Sequence, residues 1–363
     1  MKPSLRKWSA IIVAIIVTYA SCFSLLTTRE LGMVSSAIAE NLQQSNRSAS
    51  ITYTDNSTYS GEIIDTSVRN GTGTLTWSTG EVYSGDWSNG TMNGSGTLCW
   101  PNLGSYTGDF VNGRRQGQGC FTWTYDGIPE VGSPISFDGE WKYDQIGATG
   151  TLVIYGIGTY TGDFREKKRS GSGMFTWENG DVYTGRWSND RINGKGILTL
   201  ADGTILEGSF SNGKISSGSI TYAVENGSAT RQISDGKINA NVTIQYQDGT
   251  TLTGKTKNSE FTGNVTIEYA NRDKYVGELA NGLKFGKGTY TWANGSHYVG
   301  EWSNDVMSGT GKYYYTASEK EEYLSGTFKN GSPSGTLTYV QNSKLKYNTV
   351  WVNGSCTSVT YAK

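Results

Sequence analysis

Beyond residue 50 the chain alternates hydrophobic and polar positions with period two, the mark of strands with one covered and one wet face. From Tyr183 to Gly203, Tyr183, Gly185 and Trp187 share one face of a first arm; Gly194, Gly196 and Leu198 share one face of a second. Turns spelled SNG, ENG, ADG and ANG separate such arms, and Asn-Gly and Asp-Gly tolerate the positive φ that tight hairpins require. Similar spelling starts at Tyr59, Tyr83, Tyr106, Phe137, Tyr160, Tyr183, Leu206, Leu252, Tyr275, Tyr298 and Tyr323, mostly in steps of 23 residues. After Trp123 the turn expands into YDGIPEVGSPIS; a degenerate unit near Arg231 to Thr250 loses its glycine pair; a half-unit from Tyr347 closes the series. The pattern predicts an all-β chain, with hairpins paired edge to edge into an elongated, single-layer antiparallel meander.

Glycine inside a strand normally weakens it. Its regular placement beside aromatic residues gives it a purpose, because a ring can lie flat over backbone that lacks a Cβ. The expected inner face is therefore a stripe of Tyr, Trp, Phe and Leu over glycine hollows. The outer face, with Thr97 and Thr122 as examples, carries Thr, Ser and charged residues.

A different pattern opens the chain. Lys2, Arg6 and Lys7 precede residues 9–26, SAIIVAIIVTYASCFSLL, which contain no charge. The expected divisions are a basic segment at 1–8, a transmembrane signal anchor at 9–26 centred on Ile11, Ile12, Val13, Ile15, Ile16 and Val17, a partly helical juxtamembrane stalk at 27–50, and the β array at 51–363. The stalk carries Leu31, Val34, Ile38 and Leu42 at helical spacing. Positive charge before the apolar run places the N-terminus in the cytoplasm and the array outside it. Two other fates stay open: secretion after cleavage near Ala39, and lipid attachment at Cys22, where Tyr19 stands in place of a small aliphatic residue.

Composition narrows the chemistry. Of 363 residues 49 are Gly and 12% aromatic, with 35% hydrophobic, lean for a globular interior and suited to repeats that pack only on their neighbours. A net charge of −1 gives no footprint for nucleic acid. A single histidine, His297, rules out zinc spacings that need two, and no phosphate-binding loop is present. Cys22, Cys99, Cys120 and Cys356 form no C-x-x-C pair. The sequence gives no reason to expect a cofactor, metal or catalytic residue.

The stretches YSGDWSNGTMNGSGTLCWPN, YTGDFVNGRRQGQGCFTW, YTGRWSNDRINGKG and YVGEWSNDVMSGTGKYYY resemble the MORN repeat family, and the resemblance runs from about residue 59 to 354. It implies about twelve hairpin repeats in an elongated array that serves as scaffold, spacer or membrane-associated interaction module, with no catalysis of its own.

Two candidate surfaces follow. Hairpin loops place Arg114, Arg115, Arg165, Lys167, Lys168, Arg169, Arg191 and Lys195 along one edge, suited to an unidentified protein or an anionic envelope component. Asp126, Glu130, Glu178, Asp181 and Asp202 fall along the other. The aromatic stripe, with Tyr83, Trp87, Tyr160, Phe164, Tyr183, Trp187, Tyr298 and Trp302, forms a candidate trough for a glycan, a peptide or a second copy of the chain. The expected role is a membrane-anchored scaffold, with a glycan-binding module as the alternative.

Overall fold

The computed structural model of the protein describes residues 47–317 and 322–362, and every element among them is a β-strand. They form two compact units, one up to Tyr155 and one from Gly156. In the first, strands from Arg47–Thr52 to Gln145–Ile154 pair antiparallel with their neighbours in sequence. The second repeats this from Gly158–Arg165 to Ser355–Tyr361. There Glu322–Lys329 pairs with both the short Ser332–Pro333 and Gly335–Gln341. The antiparallel meander expected from the period-two pattern is thus present within each unit. Its first strand, Arg47–Thr52, begins inside the segment assigned to the stalk, because Ala49 and Ile51 pair with Gly61 and Tyr59. The apolar run with Ile11, Ile12, Val13, Ile15, Ile16 and Val17 lies outside the described residues.

The hairpin turns are tight because two consecutive residues adopt positive φ. Asn89 and Gly90 sit at 49° and 80°, the mirror-image turn that matches strand twist. In most repeats the strands run from the turn to a glycine that faces another glycine. In the first unit Gly61, Gly73, Gly85, Gly96, Gly108, Gly119, Gly139 and Gly150 oppose one another strand by strand in an unbroken row. In the second unit Gly162, Gly173, Gly185, Gly196, Gly208 and Gly218 form one such row, and Gly277, Gly288, Gly300, Gly311 and Gly326 another.

The aromatic residue that opens each repeat lies over this row. A Cβ added to Gly96 would stand 2.5 Å from Cζ of Tyr83, so no other residue fits beneath the ring. The ring reaches far enough for its hydroxyl to donate to the backbone carbonyl three residues on: Tyr83 to Asp86 at 2.9 Å, Tyr160 to Asp163 at 2.8 Å and Tyr275 to Glu278 at 2.9 Å. The second aromatic is held likewise. Trp87 Nε1 donates to the Gly73 carbonyl at 3.0 Å and Trp141 Nε1 to that of Gly119 at 2.8 Å. Rings of successive repeats then meet edge to face. In the first unit Tyr59, Trp87, Tyr83, Phe110, Tyr106, Trp141 and Phe137 form a continuous relay with centroids 5.1–5.7 Å apart. A sheet without a second layer thereby makes its own core.

The acid that follows the first glycine of the repeat fixes the bulge beside the turn. Asp86 Oδ2 accepts from the Ser95 amide at 2.8 Å and Asp163 Oδ2 from the Ser172 amide at 2.7 Å. Side-chain oxygen replaces the ladder partner that the bulge removes.

Where the glycine pair is lost, volume is exchanged rather than abandoned. In the degenerate unit Ala229 takes the ring position, while Arg231 and Val242 stand opposite each other where glycines would face. The Arg231 side chain occupies the vacated space, donating to Tyr222 Oη at 3.1 Å, the Ala240 carbonyl at 3.1 Å and Thr256 Oγ1 at 2.8 Å. In the next unit Leu252 replaces the ring and Val265 the second glycine, and both are buried. Near the C-terminus Leu324 and Leu337 do the same over Gly326. This corrects the expected start at Tyr323 by one residue, for Leu324 and Phe328 face inward and Tyr323 lies on the opposite face.

Two outcomes are expected. Leu252→Tyr should destabilise by roughly 1–3 kcal/mol through overpacking. Val265→Gly should also destabilise, and the double variant should recover part of the loss, with coupling of about 0.5–3 kcal/mol in denaturant unfolding. Strict additivity would break the exchange rule. The second outcome concerns alkali. Burial, as the main cause, pushes the hydroxyls of Tyr83, Tyr106, Tyr160 and Tyr298 up to about 12. Their folded values exceed the unfolded value of about 10, so the stability they contribute is complete below pH ~10 and is lost as pH rises towards ~12. Tyrosinate absorbance from this set should rise together with loss of the sheet signal in circular dichroism; ionisation near pH ~10 with the sheet intact would contradict the packing described.

Candidate functional site

The eight rings of the expected trough are core. Tyr83, Tyr160, Tyr183 and Tyr298 are 0% exposed, and Trp87, Phe164, Trp187 and Trp302 only 4–6%. One face of each tyrosine lies on glycine backbone and its margins meet neighbouring rings, as Tyr183 meets Trp187 at 5.5 Å and Phe210 at 5.3 Å. An open trough built from these eight residues is therefore not what the fold makes. Their spacing is legible in the sequence; their coverage by neighbours is not, because it depends on pairing between strands.

The basic residues divide into two groups. Arg115 and Arg169 turn inward. The Arg169 guanidinium lies 4.8 Å from the centroid of Trp187, its Nε donates to Asp190 Oδ1 at 3.1 Å and its Nη2 to the Asp190 carbonyl at 3.0 Å. Arg115 does the same in the first unit, 4.4 Å from Trp141 and 3.3 Å from Asp144. Lys284 with Trp302 and Asp305, and Arg69 with Trp87 and the Gly90 carbonyl, complete a recurring clamp that the sequence reading missed. Each cation leaves one hairpin, crosses the tryptophan of the next and ends on that hairpin's turn. This explains an exception in the turns. Asp144, Asp190 and Asp305 hold positive φ where glycine is easier, and each places a carboxylate that receives the cation, whereas Gly90 offers Arg69 only its carbonyl. The signal in the sequence is an aspartate as second turn residue, in SND for Asp190 and Asp305 with a basic residue 21 positions earlier, and in KYD for Asp144 with one 29 positions earlier.

Arg114 in the first unit, and Arg165, Lys167, Lys168, Arg191 and Lys195 in the second, are exposed. Arg165, Lys167 and Lys168 surround the Glu166–Lys167 turn, and Arg191 follows the Asn189–Asp190 turn of the next hairpin, roughly 10 Å away by strand spacing. Lys195 is not on this edge. It pairs with Ser209 in mid-strand and lines a shallow outer-face hollow with Thr184, Ile197 and Glu207. The acidic edge is partly structural as well: Asp181 Oδ1 accepts from the Ala201 amide at 2.9 Å and Asp202 Oδ1 from that of Thr204 at 2.8 Å, which holds the Asp202 carboxyl below its ordinary range. No group of acidic, histidine or cysteine side chains among the described residues is arranged to hold a metal ion. Among the same residues no helix is long and apolar enough to cross a membrane.

The MORN repeat family model matches residues 67–82, 83–105, 106–124, 160–182, 183–205, 275–297 and 298–317. No curated protein matches the chain. The unmatched hairpins from Ile205 to Glu268 keep the strand pairing but place Leu206, Ala229 and Leu252 where the matched repeats have an aromatic ring.

Arg169→Ala should cost about 1 kcal/mol in urea unfolding through the lost stacking and ion pair, the latter discounted because Asp190 is partly solvated. Lys168→Ala at the neighbouring position should stay within about 0.5 kcal/mol of wild type. Equal effects would remove the distinction between clamp and surface.

Proposed function

We propose that this chain, which belongs to the MORN-repeat family, is a non-catalytic scaffold or interaction protein held at a membrane by residues 9–26 with its repeat array on the extracytoplasmic side. The observation that carries this reading is the division of labour within the repeats. Tyrosine, tryptophan, glycine and the clamping cations are committed to joining hairpins, which leaves the turns and outer face to vary from repeat to repeat. A surface of that kind recognises a partner by pattern and multiplicity rather than by a single reactive pocket. The exposed cations at Arg165, Lys167, Lys168 and Arg191 suit an anionic partner, an acidic protein or an acidic envelope component. The basic flank before residue 9 supports the orientation. A glycan-binding role would have to use rings other than the eight core ones.

Protease treatment of whole cells, read with the intact mass of the chain, tests the placement. The expected result is a mature chain that begins near Met1 and an array digested from outside. A chain that starts at Glu40 in the medium would replace anchorage by secretion, and an array inaccessible to protease would overturn the orientation. Neutralising Arg165, Lys167, Lys168 and Arg191 together should weaken retention of the array on acidic envelope material by roughly tenfold, most visibly at low salt. Unchanged retention would exclude these turns as the contact.

A further inference from the structure

The second unit carries another series of rings, distinct from the buried relay. Tyr269, Tyr290, Trp292, Tyr313, Tyr315, Tyr339, Tyr347 and Tyr361 follow one another with centroids 4.9–6.2 Å apart. Unlike the relay, these rings are half-buried or, for Tyr315 and Tyr361, exposed. Toward the C-terminus they border a groove of about 450 Å³ whose walls include Tyr315, Tyr339, Tyr347, Trp351 and Val359, with Glu322 as the one charged side chain among the described residues of its lining. That volume lies within the range of small-molecule sites, roughly 300–1,000 Å³.

The groove is ordered from within. The Tyr339 hydroxyl donates to Glu322 Oε1 and fixes the carboxylate among the rings. Burial, reinforced by that carboxylate, pushes the Tyr339 hydroxyl up to about 12, so it stays a donor at neutral pH. Trp351 Nε1 donates to Thr349 Oγ1 at 2.8 Å, and Thr349 Oγ1 donates to the Leu337 carbonyl at 3.0 Å, so the indole is held in place. Strand alternation puts Lys346 on the face opposite Tyr347, away from the rings.

Three ligand classes can be weighed against this lining. An anion meets Glu322. A primary ammonium brings three N–H donors and finds one carboxylate already engaged by Tyr339 and a threonine already committed twice. A sugar needs polar partners around the rim of its ring, and beyond Glu322 and Thr349 the polar groups that the described residues bring to the lining are Gln341, the Cys356 thiol, the tyrosine hydroxyls and the Trp351 N–H, which is already bonded to Thr349. A quaternary ammonium carries positive charge with no donor to satisfy, and its methyl groups suit aromatic walls.

We propose that this groove binds a small soluble quaternary-ammonium compound of the choline class, with the tyrosine and tryptophan rings around its methylated head and Glu322 balancing its charge. The site goes beyond the scaffold role and does not depend on it.

Titration calorimetry of the full chain with choline, and with its neutral isostere 3,3-dimethyl-1-butanol, tests the proposal. Choline is expected to bind at least about tenfold more tightly than the isostere, and Glu322→Gln and Trp351→Ala each to weaken choline by roughly tenfold. Glu322→Gln is nearly isosteric, so it keeps the test valid if Trp351→Ala fails to fold; unfolding transitions identify that case. Equal affinity for choline and the isostere, no choline binding at all, or choline binding unchanged in a folded Glu322→Gln variant would each overturn the assignment. Retention on phosphatidylcholine vesicles without binding of free choline would overturn it too, by making the surface a lipid contact.

Discussion

The whole array rests on one contact: an aromatic ring laid flat across two opposed glycines. A single-layer sheet has no second layer to exclude water from its apolar face, so the cover must come from the sheet's own side chains. A ring can supply it only where the backbone beneath is bare, and the glycine row provides that floor from strand to strand. The geometry leaves the tyrosine hydroxyl beside the carbonyl three residues on, so a fully covered tyrosine still satisfies its polar end. Once the ring is down, the rest follows. Tryptophan of the same strand stands edge-on against it, and the ring of the neighbouring repeat closes the other side.

This dependence explains how the repeat tolerates change. Volume over the glycine row is a shared quantity, and a smaller residue above is matched by a larger one below, as with Ala229 and Arg231 or Leu252 and Val265. Strand pairing persists through the exchange because backbone hydrogen bonds do not depend on which side chain fills the space. The aromatic relay does not persist through those hairpins, which lie in the stretch between the matched repeats at 183–205 and 275–297.

The sequence made the hairpins and the inner face legible because period-two alternation and Asn-Gly turns are local signals, read correctly at Tyr183, Gly185 and Trp187. It misled wherever coverage or partnership is set between strands. Tyr83 and Trp87 read as a trough when viewed along one arm, yet the neighbouring arm buries them. Arg115 and Arg169 read as edge charges because they follow turns, but their carboxylate partners lie 29 and 21 residues away. Tyr323 misled by one position because it and Leu324 are adjacent candidates in the sequence, and only pairing with Tyr314 shows which face Tyr323 takes.

The same logic locates function. A residue that serves the ring-over-glycine contact has no freedom left to meet a partner, so recognition falls to positions the repeat does not use. Turns are one such set, and their charge is free to differ from hairpin to hairpin. The C-terminal hairpins are another. There Leu324 and Leu337 fill the space over Gly326, and the aromatic side chains that remain, Tyr315, Tyr339, Tyr347 and Trp351, are not drawn down onto a glycine row. They stand half-exposed around a carboxylate, whereas the rings laid over the glycine rows are buried. The decay of the repeat at its end thus sets aromatic surface free for binding.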